Sequence, residues 1–421
     1  MESKWQFLLW RITHQTWFRS ALYSLLGVVT ALVALALRPY VPEAYADKIG
    51  ANSVDSILRI LASSMLAVAT FSLTTMVSAY NAASNSATPR AAMLLIEDTT
   101  SHNALAAFIG TFLYSVVGII LLSTGVYGGS GRLVLLAVTI AVILLVVATL
   151  LGWINRLSRL GRVGQTIDQV EAVTDRALQA DAQALFLGGH PLGAIPGDAR
   201  AVCRDRVAYV QHVDMGRLQE IAADRGLLIF DPARPGIFVD PARPLFHVSG
   251  DFSGDDVEAL AGAFTVGGAR TFQQDPRFGV IALSEIASRA MSPGINDPGT
   301  AIDVIGTLVR LLIHYAEACA GAEHLVEYDR VFVAPLSMDD LVVDGFRPVS
   351  RDGAAHVEVC IRLQKGLSAL SRVPRSDLAE AAASMAREAL ERCARALTLD
   401  ADLEVVKKVH ESLAWEHPVP A

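Results

Sequence analysis

The sequence predicts a mainly α membrane protein, with four transmembrane helices followed by a mostly helical cytoplasmic domain that contains a small β unit. Three observations carry this expectation. Of the 421 residues, 52% are hydrophobic and only 19% charged, whereas an average soluble domain carries about 25% charged residues. Long uncharged apolar runs are confined to the first 155 residues. A spanning helix needs ~20 mostly apolar residues, and four runs meet that length.

The predicted spans are about 20–37, 60–86, 103–127 and 133–154. The first ends in Arg38-Pro39 with no small-residue cleavage site, so it reads as a retained helix and not as a cleaved signal. Basic residues near the helix ends give the orientation. Lys4, Arg11, Arg19, Arg90, Arg156, Arg159 and Arg162 fall on one side, and Arg38, Lys48, Arg59 and Arg132 on the other. This bias puts both termini in the cytoplasm. Trp5, Trp10, Trp17 and Trp153 share that side, as an interfacial aromatic belt does. The stretch “WQFLLWRITHQTWFRS” suits a helix lying along the membrane surface. Residues 1–164 thus form the membrane domain and 165–421 a cytoplasmic α+β domain.

The second half reads as follows. “QTIDQVEAVTDRALQADAQALF” is helical. “RGLLIFDPARPGIFVDPARPLFHV” has short apolar runs broken by DPARPG and DPARP, the pattern of a small antiparallel β unit. Phe278–Ala290 and Thr300–Glu317 are helical, and “RVFVAPL” is a candidate strand. Ala355–Leu370 is a helix with Val359, Cys360, Leu363, Leu367 and Leu370 on one stripe. Ser376–Leu397 is a helix with Ser376 as its cap, and Asp400 caps a last amphipathic helix. The net charge of −8 and the absence of any Lys/Arg run argue against nucleic acid as a partner. Cys203, Cys319, Cys360 and Cys393 are far apart in sequence and read as buried thiols.

The second span carries the clearest functional signal. “SSMLAVATFSLTTMVSAYNAASNSATPR” is uncharged yet crowded with hydroxyls and amides. On a helix, Ser63, Thr70, Thr74, Ser78, Asn81 and Asn85 stack on one face, while Leu66, Leu73 and Val77 lie on others. Such a stripe does not suit lipid. It either packs on other helices or lines a water-filled path, where hydroxyls replace part of an ion's hydration shell. The uncharged run of 30 residues would span ~45 Å against a hydrocarbon core of ~30 Å, so its polar end should extend into the cytoplasm. No charge lies inside the four spans, which argues against proton-coupled transport.

No P-loop, HExxH or GxSxG signature occurs, and no constellation of acid, base and nucleophile is visible. The chain therefore reads as a non-enzyme, and neither cofactor nor metal is expected. His212 and Asp214 offer two metal ligands with no third in sequence reach. “MSPGINDPGTA”, residues 291–301, reads as a tight corner: Ser292-Pro293-Gly294 ends one helix, and Asp297-Pro298 starts the next. The same geometry offers a ligand site built from Arg289, Asn296 and Asp297. Asp297 would repel an anion, so a cation or an amide-bearing ligand fits better.

“FSLTTMVSAYNAASNSATPRA”, “FIGTFLYSVV”, “YVQHVDMGRL” and “DPRFGVIALSEIASRAMSPGINDPGTA” together resemble the bacterial predicted membrane proteins grouped as domain of unknown function 2254. The resemblance spans nearly the whole chain, and SPGINDP is its most specific element. It implies four membrane helices, a cytoplasmic domain and a place in the bacterial inner membrane, and it implies no activity. “DDLVVDGFRPVSRDGAA” departs from the pattern, because Pro348 interrupts an expected helix.

Together these features favour a homo-oligomeric ion channel or pore lined by the second span, with the cytoplasmic domain for assembly and gating. Its partners would be the lipid bilayer, further copies of itself and ions. The alternative is a membrane-anchored sensor or scaffold whose cytoplasmic domain binds a ligand or a partner protein.

Overall fold

A computed structural model describes residues 16–36, 51–96, 99–124, 128–157, 161–323 and 325–413. The expected surface helix at residues 5–20 lies almost wholly outside them. The chain separates into two compact units: a helical bundle, Leu9–Ala83 and Met93–Gln165, and a C-terminal unit, Thr166–Ala421 together with Ser84–Ala92.

The bundle is built from α1 (Thr16–Ala36), α2 (Ala51–Ser86), the start of α2's successor α3 (Pro89–Ile96) excepted, α4 (Thr99–Ser123) and α5 (Gly128–Leu157). The expected spans overlap α1, α2, α4 and α5, with residues 37 and 125–127 outside the described residues, and the ends move. α2 begins nine residues before residue 60, and Asp55 and Arg59 pair across one turn there at 2.6 Å. That pairing satisfies the two charges that seemed to mark a boundary. α4 ends at Ser123 rather than at 127. Gly128, Gly129, Ser130 and Gly131 form the first turn of α5.

Among the described residues, four helices are long and apolar enough to cross a membrane, and they lie at Ser53–Asn85, Thr100–Ser123, Gly131–Leu157 and Pro298–Gly321. The last is a core helix of the C-terminal unit by its packing, with Val304, Ile305, Leu308, Leu311 and Leu312 all buried. α1 is the apolar helix that holds the expected first span.

Bundle packing follows membrane rules. α1 and α4 cross with Gly27 against Gly110, where a Cβ on Gly110 would sit 2.7 Å from the Tyr23 carbonyl oxygen. Small residues at such a crossing let two backbones approach. Tyr114 is buried with its hydroxyl 2.9 Å from that of Thr139, whose own proton goes to the Leu135 carbonyl. Trp153 is not part of a belt: it is 4% exposed and packs with Leu61, Met65, Ala69 and Phe108.

The C-terminal unit opens with α6 (Val163–Gln183) and continues into two small sheets. One is five-stranded in the order β1-β8-β4-β6-β2: β1 (Gly189–Pro191), β8 (Tyr328–Val333), β4 (Leu228–Phe230), β6 (Pro244–Ser249) and β2 (Arg200–Cys203). The other is three-stranded, β5 (Phe238–Val239), β3 (Ala208–Val213) and β7 (Phe264–Gly267). The expected hairpin at 228–248 is present as the antiparallel β4–β6 pair, and “RVFVAPL” supplies β8. The unit is not purely antiparallel, since β8 runs parallel to both β1 and β4. Strands of two to six residues carry too little periodicity to announce such partners. α7 (Met215–Arg225) and α8 (Gly254–Ala261) cover a core of Val213, Leu218, Ile229, Phe246 and Val331.

The helical layer comprises α9 (Pro276–Ala290), α10 (Pro298–Gly321), α11 (Met338–Asp352), α12 (Val357–Ser371), α13 (Ser376–Ala396) and α14 (Asp400–Ser412). Pro348 does not end α11; the helix runs through it with Leu341, Val342, Phe346 and Val349 buried. Proline removes one backbone bond, and it falls in the last turns, where the packed face outweighs that loss. Ser376 and Asp400 are the first helical residues and not caps; Arg375 and Leu399 hold the cap positions without a side-chain cap bond.

The close crossing of α1 and α4 gives a direct test. Gly110→Leu should cost about 1–3 kcal/mol by overpacking, read as a lower melting temperature of the detergent-solubilised protein. An unchanged melting temperature would refute a backbone-to-backbone crossing there.

Candidate functional site

α2 has two opposite faces. One packs: Leu61, Met65 and Ala69 meet Leu105, Phe108, Val146 and Trp153, while Val54 and Leu58 meet Tyr114 and Leu135. At ~100° per residue, the stripe of Ser63, Thr70, Thr74, Ser78, Asn81 and Asn85 lies on the far side, and all six residues are exposed. Among the described residues, the stripe therefore does not pack on the other helices of the bundle. Leu66, Leu73 and Val77 form an exposed apolar shoulder beside it, each about half accessible.

The hydroxyls have local partners. Ser63 donates to the Ile60 carbonyl at 3.1 Å, Thr70 to Leu66 at 2.9 Å and Thr74 to Thr70 at 3.0 Å. These bonds lower the cost of a hydroxyl in an apolar medium. The carboxamides of Asn81 and Asn85 are larger and carry two donors and an acceptor each, so their exposure sets the stripe apart from a lipid-facing surface.

The end of α2 joins the C-terminal unit. Thr88 caps α3, its hydroxyl accepting from Ala91 N–H at 3.1 Å, and Pro89 takes the first helical position. Arg90 of α3 forms an ion pair with Glu285 of α9. Two of the stretches that carry the sequence resemblance, SNSATPR and SEIASRA, thus meet through one charge pair, which linear spacing does not reveal.

The corner at 291–301 is exposed from Pro293 to Asp297. Asp297 caps α10, its carboxylate accepting from Thr300 N–H at 3.1 Å and from the Thr300 hydroxyl at 2.7 Å. The Thr300 hydroxyl, followed by its backbone N–H, holds this carboxyl below the usual range. Asn296 has φ 50°, a left-handed conformation that asparagine tolerates. Its N–H bonds the Ser292 carbonyl at 2.9 Å, and Asp297 N–H bonds Ala290 at 2.8 Å. Arg289 makes no hydrogen bond to either residue, and its buried Nε has no partner. The structure thus accounts for Asn296 and Asp297 as a turn and a cap.

The remaining candidates resolve as structural parts. His212 is buried with Nδ1 2.9 Å from Gln274 Oε1, and Asp214 caps α7 through Arg217 N–H. Among the described residues, no group of three His, Cys, Asp or Glu side chains is placed to hold a metal. The cysteines differ from expectation. Cys360 and Cys393 are joined in a disulfide between α12 and α13, Cys203 is exposed and Cys319 is half-buried. The two bonded cysteines are 33 residues apart, and only the packing of two helices brings them within bridging range.

Several organising contacts left no mark in the sequence. Asp181 of α6 is buried, pairs with Arg234, and accepts from the Tyr315 hydroxyl at 2.6 Å. Arg277 of the DPRFG segment bonds Asp340 at 2.6 Å and Asp344 at 2.9 Å on α11. Burial raises the Asp344 carboxyl despite that partner. Nothing local marks these pairings; the one available signal is Asp340 and Asp344 at i, i+4.

The comparisons agree with a membrane assignment. A family model described as “Predicted membrane protein (DUF2254)” matches residues 13–369. Uncharacterized proteins of Mycobacterium bovis and Mycobacterium tuberculosis are 28% identical over 250 residues, which is 56% of this chain and 47% of each relative. The matched stretch spans about half the length of those curated relatives. No solved structure matches significantly.

The corner supplies the second test. Asp297→Ala should cost roughly 0.5–2 kcal/mol through loss of the cap, with Asp297→Asn or Ser close to neutral. Because its folded pKa is depressed, the Asp297 contribution is full above the unfolded value of about 3.9. It is lost as pH falls through the lower folded value. Thermal melts between neutral and acid pH should show the wild-type advantage over Asp297→Ala shrinking only in that acid window. Large functional loss in Asp297→Asn at an unchanged melting temperature would instead mark a ligand site.

Proposed function

We propose that this chain, which belongs to the DUF2254 family of predicted membrane proteins, assembles as a homo-oligomeric ion channel in the bacterial inner membrane, with α2 lining the path. The observation that carries this reading is the exposed stripe on α2, opposite the face that packs within the chain. Further copies around an axis would cover the stripe and enclose water between the α2 helices. Exposed hydroxyl oxygens and carboxamides would then contact passing ions weakly, so that entry and exit both stay easy. The lipid-facing role falls to Leu144, Leu145, Leu151 and Ile154 of α5, all exposed.

In this reading the N- and C-termini are cytoplasmic, as the Arg156, Arg159 and Arg162 cluster after the fourth span indicates. The C-terminal unit serves assembly and gating. The ion pair between Arg90 and Glu285 supports that role, because it ties the residues that follow α2 to α9. No catalytic role, cofactor or nucleic-acid partner is proposed.

One observation favours a second reading, a membrane-anchored sensor. An open cleft of about 750 Å³ lies between the start of α11 and α13, lined by Ser337, Asp339, Asp377, Glu380 and Arg387 among others. That volume suits a small ligand.

The pore reading is tested with single cysteines at 66, 70, 73, 74, 77 and 78 in liposome-reconstituted protein, after replacing Cys203 and Cys319. Cysteines at Thr70, Thr74 and Ser78 should react with a small hydrophilic thiol reagent and change ion flux. Those at Leu66, Leu73 and Val77 should react far less, because that shoulder meets apolar surroundings. Equal reaction at all six positions, or no flux under any stimulus, would leave the stripe as packing and put the sensor reading first.

A further inference from the structure

We propose that Cys360 and Cys393 are a reversible thiol–disulfide pair whose state decides whether the last helix, α14, stays docked. The disulfide joins α12 to α13, and its cysteines are 2% and 1% exposed. α14 sits directly on it. Val406 is the only buried residue of α14, and it packs against both cysteines in a small cluster edged by Val357, Ile361, Leu390 and Leu397. A second tie is polar: His410 Nδ1 lies 2.8 Å from Gln364 Oε1, while the Gln364 amide nitrogen donates to the Ala386 carbonyl. The seat of α14 is therefore centred on Val406 over the two sulfurs, with Leu403 and Val409 half-buried on either side and the His410–Gln364 bond nearby.

Reduction changes that floor. A dithiol reductant of the thioredoxin class is oxidised to its own disulfide. In exchange the Cys360–Cys393 bond breaks, takes up two electrons and two protons, and leaves two thiols. Sulfurs that the bond held about 2 Å apart must then separate to van der Waals contact. A close-packed interior does not absorb such a change without a shift of its neighbours, and of the three helices at the disulfide α14 buries the fewest side chains. The coupling is reciprocal. The sulfurs are covered, so a reductant reaches them only when α14 has lifted; once reduced, the pair favours the lifted state. This device belongs to the C-terminal unit alone and stands independently of the pore reading.

The test is amide hydrogen exchange on the full-length protein in detergent, first oxidised with a small cyclic disulfide, then reduced with dithiothreitol and reoxidised. Reduction should speed exchange of the α14 amides by about tenfold, the scale of a typical coupling free energy, with α12 and α13 still protected and reoxidation restoring the slow rate. Val406→Asp, which unseats the helix, should speed reduction of the disulfide by about tenfold, read by alkylation and mass shift. In Cys360→Ala/Cys393→Ala the α14 exchange rate should ignore the reductant. Unchanged α14 exchange in protein shown by mass to be fully reduced overturns the proposal. So does loss of protection across α12 and α13 together, which marks a structural staple, and so does failure of the pair to oxidise.

Discussion

The constraint on which this structure turns is that α2 must satisfy two environments at once. One face carries Leu61, Met65 and Ala69 into the bundle core beside Phe108 and Trp153. The opposite face presents exposed hydroxyls and carboxamides. A membrane helix of this kind cannot rest in lipid without cost: Ser63, Thr70 and Thr74 turn their protons onto their own backbone, but Asn81 and Asn85 have more polar atoms than one helix turn can satisfy. The bundle fixes which side of α2 points away from it. In the proposed oligomer that side would be the one covered by further copies.

The C-terminal unit solves a different problem, which is to hold many short elements together without long strands. Its ties are ionic and sit at element junctions. Arg277 spans from the first turn of α9 to two carboxylates on α11. Arg310 on α10 makes a two-pronged contact with Glu171 on α6. Arg270 does the same with Asp275, the buried cap of α9, whose carboxyl is raised by burial although the arginine opposes that shift. These pairs range from the buried Arg270–Asp275, which costs desolvation and is most sensitive to losing one partner, to the half-exposed Arg310–Glu171. They fix the register of helices that the apolar pattern alone would allow to slide.

These ties also separate positions that act through packing from positions free to do something else. Asp297, Asn296, His212 and Asp214 all have structural duties in a cap, a turn or a buried pair. The α2 stripe and the disulfide under α14 are different. The stripe is exposed, and the disulfide lies under a helix whose one fully buried side chain is Val406.

The sequence by itself determined the membrane character and the helices of the bundle, because hydrocarbon thickness sets a length that an uncharged run must meet. It also marked the polar stripe, since steps of three and four residues define a helix face wherever the helix goes, and it marked the Asp297 cap, which is written in adjacent residues. It missed whatever depends on partners distant along the chain. The mixed sheet needed β8 to arrive after two helices and run parallel to β4. The cysteines read as separate thiols until α12 and α13 packed. Trp153 read as interfacial until the bundle closed over it. Pro348 read as a break until the buried face of α11 outweighed one lost bond. Local pattern fixes what each segment can become, while burial, charge pairing and cross-linking depend on distances that only the tertiary structure sets.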